Sequence, residues 1–157
     1  MADRPHTAFD PARLPADSCE LCRAPGGHLV AQQGLWRVVR VDDAEFPGFY
    51  RLVHREHVAE MSDLPLTEQQ RCLELLMGLE CLLREALTPA KINLASLGNM
   101  VPHLHWHVIA RFTWDSHFPQ PVWGVRQRVS DGSRLASLRQ ALPGLDRRLA
   151  AWLQAHG

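Results

Sequence analysis

The sequence predicts an α+β domain, and three observations carry that prediction. Strand-like segments come in pairs joined by turn residues. A single long stretch of 3.6-residue periodicity lies between the two pairs. The chain then closes on a second helical pattern. Hairpins with segregated helices argue against the regular alternation of an α/β fold.

Residues 1–18 contain Pro5, Pro11 and Pro15 with little periodicity and read as a flexible arm. "CELCRAPGGH" (19–28) follows as a tight knuckle in which Gly26 and Gly27 can take positive φ. "LWRVVRV" (35–41) and "GFYRLVH" (48–54) have strand composition, and the Asp, Pro and Gly of the intervening segment supply a turn. "LTEQQRCLELLMGLECLLREAL" (66–87) is the strongest helix, with Thr67 as N-cap and Gln70 as its capping-box partner. Leu75, Leu76, Leu79, Leu82, Leu83 and Leu87 form its core stripe, and Pro89 marks its end. Cys72 and Cys81 are nine residues apart on that helix, which places them on opposite faces. "KINLASL" (91–97) and "HLHWHVIARF" (103–112) read as two further strands around a turn at Gly98, Asn99 and Pro102. A loop rich in proline and aromatic residues (113–128) leads to a helical segment that Pro143 and Gly144 are expected to break.

With 157 residues, 46% hydrophobic and 22% charged, the chain is long enough to bury one core. Lys+Arg and Asp+Glu are both 17, so the basic footprint of sequence-independent nucleic-acid binding is absent. Arg126 and Arg128 read as solvated surface. No apolar run reaches the roughly 18 residues of a membrane span, and the N-terminal residues have no signal-peptide character. Four cysteines without a secretion signal fit a reducing compartment, so a cytoplasmic location is expected.

The chemistry concentrates in "PHLHWHVIARF", which holds three of the nine histidines. On a strand, His103, His105 and His107 share one face, while Leu104, Trp106 and Val108 share the other. Neighbouring imidazoles are then about 6.6 Å apart along the strand, so two of them can meet one phosphate-sized group. Imidazole titrates near neutrality and can act as nucleophile, acid or base. An incidental polar face is a poor account of three histidines in strict alternation. A non-haem iron or cupin-like site wants a nearby carboxylate, and none follows until Asp115.

"HLHWHVI" matches the His-φ-His-φ-His-φ-φ signature, φ being apolar, and so resembles the histidine-triad (HIT) nucleotide hydrolases and transferases. "EFPGFYRLVHREHVAEMSDL" and "INLASLGNMVPHLHWHVIARF" extend the likeness across about residues 19 to 128. The resemblance implies a HIT-like α+β fold, with an antiparallel sheet of about five strands, one long helix and a C-terminal helical segment, usually as a homodimer. It divides the chain into an arm (1–18), a HIT domain (19–128) and a C-terminal extension (129–157). It also implies cleavage of nucleoside 5′-phosphate derivatives at the α-phosphorus through a covalent nucleotidyl-histidine. Dinucleoside polyphosphates and nucleoside phosphoramidates are the candidate substrates. His105 would be the nucleophile, and His107 would protonate the leaving group. Asn99 and His103 would contact phosphate, and Asp42 the ribose. Many relatives carry a histidine directly after the Pro-Gly turn, where this chain has Phe49.

"CELC" supplies Cys19 and Cys22, half of a tetrahedral zinc set, although a lone CxxC equally suits buried or redox-active thiols. Several bacterial HIT proteins complete such a set with the histidine of the "HV" segment and the first triad histidine. The resemblance therefore implies structural zinc on Cys19, Cys22, His57 and His103, with His28 and His54 as substitutes for His57. His117 reads as surface, or as a residue within reach of substrate phosphate or a dimer partner. Trp123 packs at the cleft, at a dimer interface or in the core. Two other readings stay open: a nucleotide-binding or zinc-stabilised interaction protein with little turnover, and a metal-dependent hydrolase using the histidines as ligands.

Overall fold

The computed structural model describes residues 16–156. The expected N-terminal arm lies outside the described residues except for 16–18, which form a single 3₁₀ turn. A short helix α1 (Glu20–Arg23) leads into strands β1 (His28–Gln33), β2 (Trp36–Arg40) and β3 (Phe49–His54). The long helix α2 (Leu66–Leu87), strands β4 (Lys91–Ala95) and β5 (His105–Arg111), and helix α3 (Gly132–His156) follow. The five strands make one antiparallel sheet in the order β1-β2-β3-β5-β4. The expected α+β architecture, with about five antiparallel strands, one long helix and a C-terminal helical segment, is met.

The sheet is covered on both faces, which explains why its central strands read as nearly continuous apolar runs. Trp36, Val38, Tyr50, Leu52, Val108 and Ala110 alternate onto the face that packs against α2 and α3. Those helices contribute Leu75, Leu76, Leu79 and Leu83 from α2, and Leu145, Leu149 and Leu153 from α3. On the opposite face, Cys19 and Leu21 cover Val39 and Val53, while Phe46 and Val122 cover Phe49 and Ile109.

Three local expectations are corrected. Strand β1 has no counterpart in the hairpins read from sequence. A register shift between Leu29 and Ala31 breaks the alternation that would have revealed it. Helix α2 begins at Leu66 with Pro65 in the N-cap position, so Thr67 lies inside the first turn and no capping box with Gln70 forms. Gln69 instead donates its amide to the Leu64 carbonyl at 2.8 Å.

The third correction concerns α3, which runs unbroken through Pro143. Leu142, Leu145, Leu149 and Leu153 all bury on one side of it, and that packing outweighs the roughly 3 kcal/mol cost of an interior proline. Asp131 caps its start, accepting from the Ser133 and Arg134 amides at 2.9 and 3.2 Å. Asp146 then ties α3 to the sheet by accepting from Tyr50 Oη at 2.8 Å and Arg40 Nε at 3.1 Å. Where α2 meets α3, a Cβ on Gly78 would overlap the Trp152 indole, so glycine sets the approach of the two helices. Cys72 is buried and Cys81 exposed, on opposite faces as expected. Among the described residues no helix is long and apolar enough to cross a membrane.

Candidate active site and metal centre

The knuckle meets the segment after β3 and the turn before β5 at four ligand groups. Cys19, Cys22, His57 and His103 bring one ligand atom each to within 4.8 Å of one another. His103 Nδ1 lies 3.5 Å from Cys19 Sγ and 3.4 Å from Cys22 Sγ, and His57 Nδ1 lies 3.3 Å from Cys22 Sγ. A tetrahedral ion with the usual zinc–sulfur and zinc–nitrogen bonds has S···N edges of about 3.5 Å, so the cluster has the right size. His103 Nε2–H donates to the His54 carbonyl at 2.7 Å, which leaves Nδ1 as the lone pair facing the thiols. Burial holds His103 below the ordinary imidazole range and keeps it in the neutral form that a ligand needs. The two substitutes point elsewhere. His54 packs edge-on to Trp36 at 4.9 Å, and His28 stands 3.9 Å from Asp146.

His103 is not part of the regular strand, which begins at His105, yet it is fully buried. His105 and His107 do share a face of β5, with ring centroids 4.8 Å apart. Leu104 and Val108 bury into the core on the other side, and Trp106 packs against it. His105 Nδ1–H donates to the His103 carbonyl at 2.6 Å. That bond assigns the tautomer and leaves Nε2 with a free lone pair. Burial lowers the pKa of both rings, and the Arg51 charge lowers both further. His107 falls to about 3, through burial first and then the charges of His105 and Arg51. Its Nδ1 is buried without a hydrogen-bond partner.

Two covers frame these rings. On the knuckle side, Arg37 donates to the Leu21 and Pro25 carbonyls at 2.5 and 3.2 Å, and Arg51 donates to the Gly26 carbonyl at 3.2 Å. Gly26, at φ 88°, turns the chain there, and a Cβ would strike Leu21. On the other side, Arg111 forks onto Asp115 at 2.8 and 3.0 Å and also holds Asn93 Oδ1 and the Gln120 carbonyl. Burial opposes the Asp115 charge, but Arg111 and the amides of Phe112 and His117 outweigh it and hold the carboxyl below its ordinary range. Asp115 is thus committed to building the 113–128 segment. Arg128 serves the same segment by donating to the Thr113, Asp115 and Phe118 carbonyls, and Arg126 pairs with Glu45.

Trp123 is half exposed and stands at the cleft, 5.1 Å from the His107 ring and 6.4 Å from Phe49. Phe49 lies edge-on to His107 at 5.3 Å, so an apolar ring borders the second histidine. A groove of about 550 Å³ reaches Trp123 from the β4 side, past Asn93, Ala95 and Ile109. His117 is half-buried rather than on the surface, with Nδ1 2.8 Å from Ser116 Oγ and its ring against Phe46.

The structure does not bring every sequence candidate together. Asp42 is exposed beyond β2, at the Phe49 end of the histidine face. Asn99 is exposed in the connection before His103, at the opposite end. Conversely, Arg37 and Arg51 have no role in the sequence reading, although both occupy otherwise apolar strands. Cations in "WRVVR" and "FYRLVH" were the available signal.

Comparison with known proteins agrees with this geometry. The family model described as HIT domain matches residues 26–114. A histidine triad protein of Bradyrhizobium japonicum is 33% identical, with a TM-score of 0.66 over 79% of this chain and 90% of that one. A histidine triad protein of Marinobacter aquaeolei VT8 is 34% identical, with a TM-score of 0.64 over 80% and 93% of the two chains. A zinc-bound histidine triad family protein of Mycobacterium smegmatis shares the fold at 19% identity, with a TM-score of 0.55 over 85% and 99%. No curated protein matches. The matched domain spans more than half of the sequence and carries the row of histidines on β5, and the chain belongs to the histidine triad (HIT) family.

Proposed function

We propose that this protein cleaves nucleoside 5′-phosphate derivatives at the α-phosphorus through a covalent nucleotidyl-His105. The family is one of nucleotide hydrolases and transferases, and one observation carries the finer reading. The His105 Nδ1 proton is held by the His103 carbonyl at 2.6 Å, so the Nε2 lone pair is free to attack. As the Nε2–phosphorus bond forms, the bridging bond from phosphorus to oxygen or nitrogen breaks, and His107 delivers a proton to the departing atom. Water then attacks phosphorus and gives a proton back to His107, His105 leaves, and the nucleoside monophosphate is released. Dinucleoside polyphosphates and nucleoside phosphoramidates both present such a bond. Asn99 and Asp42 are assigned to phosphate and ribose, a role that requires the exposed ends of the cleft to close over substrate.

Zinc on Cys19, Cys22, His57 and His103 is assigned a structural role, because four protein ligands leave no open position. Its chemistry when bound is to fix the knuckle against the catalytic strand. Residues 19–128 are taken as the HIT domain and 129–157 as its extension. A homodimer is proposed through β4, whose outer edge is unpaired among the described residues, and a cytoplasmic location accords with free thiols.

A second reading, nucleotide binding with little turnover, draws on the depressed pKa of His107, which leaves the free protein without a charged acid at neutral pH. The negative charge of a bound phosphate opposes that depression. A metal-dependent hydrolase is less well supported, because only His103 of the three histidines belongs to the ligand cluster.

The test is mass spectrometry of the protein mixed with adenosine 5′-phosphoramidate or a diadenosine polyphosphate. Adenylylation of the peptide containing residue 105 is expected. Full turnover by His105→Ala would sink the assignment.

A further inference from the structure

We propose that Arg51 is a further phosphate-binding residue of this cleft and makes the site select 5′-phosphorylated nucleosides over free nucleosides. The proposal rests on the nucleotidyl-transfer reading above, because it places the phosphate at His105 and His107.

Arg51 pairs directly with His107 across β3 and β5, so its side chain leaves the sheet on the histidine face. It is half-buried, its guanidinium lies 5.8 Å from the Phe49 ring centre, and its charge reaches both imidazoles. A guanidinium has five N–H donors, and among the described residues only Nη1 finds an acceptor, the Gly26 carbonyl at 3.2 Å. Nε is buried without a partner. The acidic group whose charge bears on Arg51 is the exposed Glu20, which does not form an ion pair with it.

The competing account is that Arg51 only pins the knuckle. Arg37 shows what a pin looks like here: it is more deeply buried and makes two carbonyl bonds, the shorter at 2.5 Å. Arg51 makes one weak bond and leaves a buried donor idle, a costly arrangement unless a ligand completes it. A cation beside two imidazoles finds no countercharge in them. It gains from an anion between them, and phosphate oxygens match the planar fork of a guanidinium. As Nε2 attacks phosphorus, the same charge faces the non-bridging oxygens where negative charge resides.

The experiment is titration calorimetry of the zinc-loaded full chain with AMP and, separately, with adenosine. Wild type, Arg51→Met and Arg51→Lys are compared. Arg51→Met is expected to weaken AMP about tenfold or more while leaving adenosine nearly unchanged, as loss of a charge-assisted contact predicts. Arg51→Lys is expected to lose several-fold for AMP alone, because a point charge replaces a fork. Unchanged AMP affinity in both variants, or equal losses for AMP and adenosine, would overturn the proposal in favour of a knuckle pin. If Arg51→Met fails to fold, Arg51→Lys decides: selective loss for AMP supports the proposal, and equal affinity for AMP in the variant and wild type overturns it. If wild type binds AMP no better than adenosine, the proposal also falls. Binding of an unreactive product is independent of turnover, so absence of adenylyl-His105 would defeat the catalytic reading without deciding the role of Arg51.

Discussion

His105 donates its Nδ1 proton to the backbone carbonyl of His103, at 2.6 Å, while the His103 ring faces Cys19 and Cys22. The proposed nucleophile is thus oriented by the backbone of a proposed metal ligand, two residues away. Metal at the knuckle and chemistry at the cleft share a single turn of chain.

Removing the metal is therefore expected to affect both. Cys19→Ser, or chelation of the wild type, should lower bound zinc from about one per chain to well below that. Stability should drop by several kcal/mol, because binding energy at such a site is folding energy. The rate of His105 adenylylation should fall with it. Metal analysis, thermal denaturation and intact-mass kinetics check the three. Unchanged stoichiometry in Cys19→Ser rejects the ligand set.

The His107 assignment predicts a dependence on leaving group. His107→Gln is expected to slow cleavage about a hundredfold when the leaving group is a basic amine or alcohol, the usual range for a lost general acid. With an acidic phenol as leaving group the loss should shrink towards nothing, since no proton is needed. Equal losses across the series would assign His107 to positioning alone.

The same residue predicts a stability profile. His107 is held at about 3 in the folded protein and titrates near 6.5 when unfolded, so the unfolded chain binds the extra proton between those values. Stability is full above about 6.5 and is lost as pH falls towards 3. His107→Phe should therefore reduce the slope of unfolding free energy against pH by up to about one proton in that window. Urea denaturation of both proteins at pH 4 to 7 measures it. An identical slope would contradict a neutral, buried His107.

Helix α3 makes a prediction away from the site. Pro143 sits in its interior and lacks the amide that the helix would use. Pro143→Ala is expected to raise stability by about 1–3 kcal/mol, whereas Leu149→Ala, at a fully buried position, should lower it by about 2–5 kcal/mol. Chemical denaturation separates the two. A destabilised Pro143→Ala would mean that the proline is needed where it stands.

Much of this protein follows from its sequence alone. The leucine spacing of 66–87 allows one buried stripe and so one long helix. The alternation of "HLHWHV" requires imidazoles and core residues to part company across the strand, because the side-chain period is two. The CxxC and its two histidines carried the ligand set through resemblance, and the fold brings those four together.

Other features waited for the tertiary structure, because they depend on energies no local pattern contains. Strand β1 hides behind a bulge and is held by pairing with β2 and packing under α3. Pro143 stays helical because leucines on both sides of it find a core. Arg51 gains its meaning only when β3 pairs with β5 and sets it opposite His107. Local sequence dictates periodicity and the chemistry of each side chain. Which groups meet, and which buried donor is left idle, is decided by strand register and long-range packing.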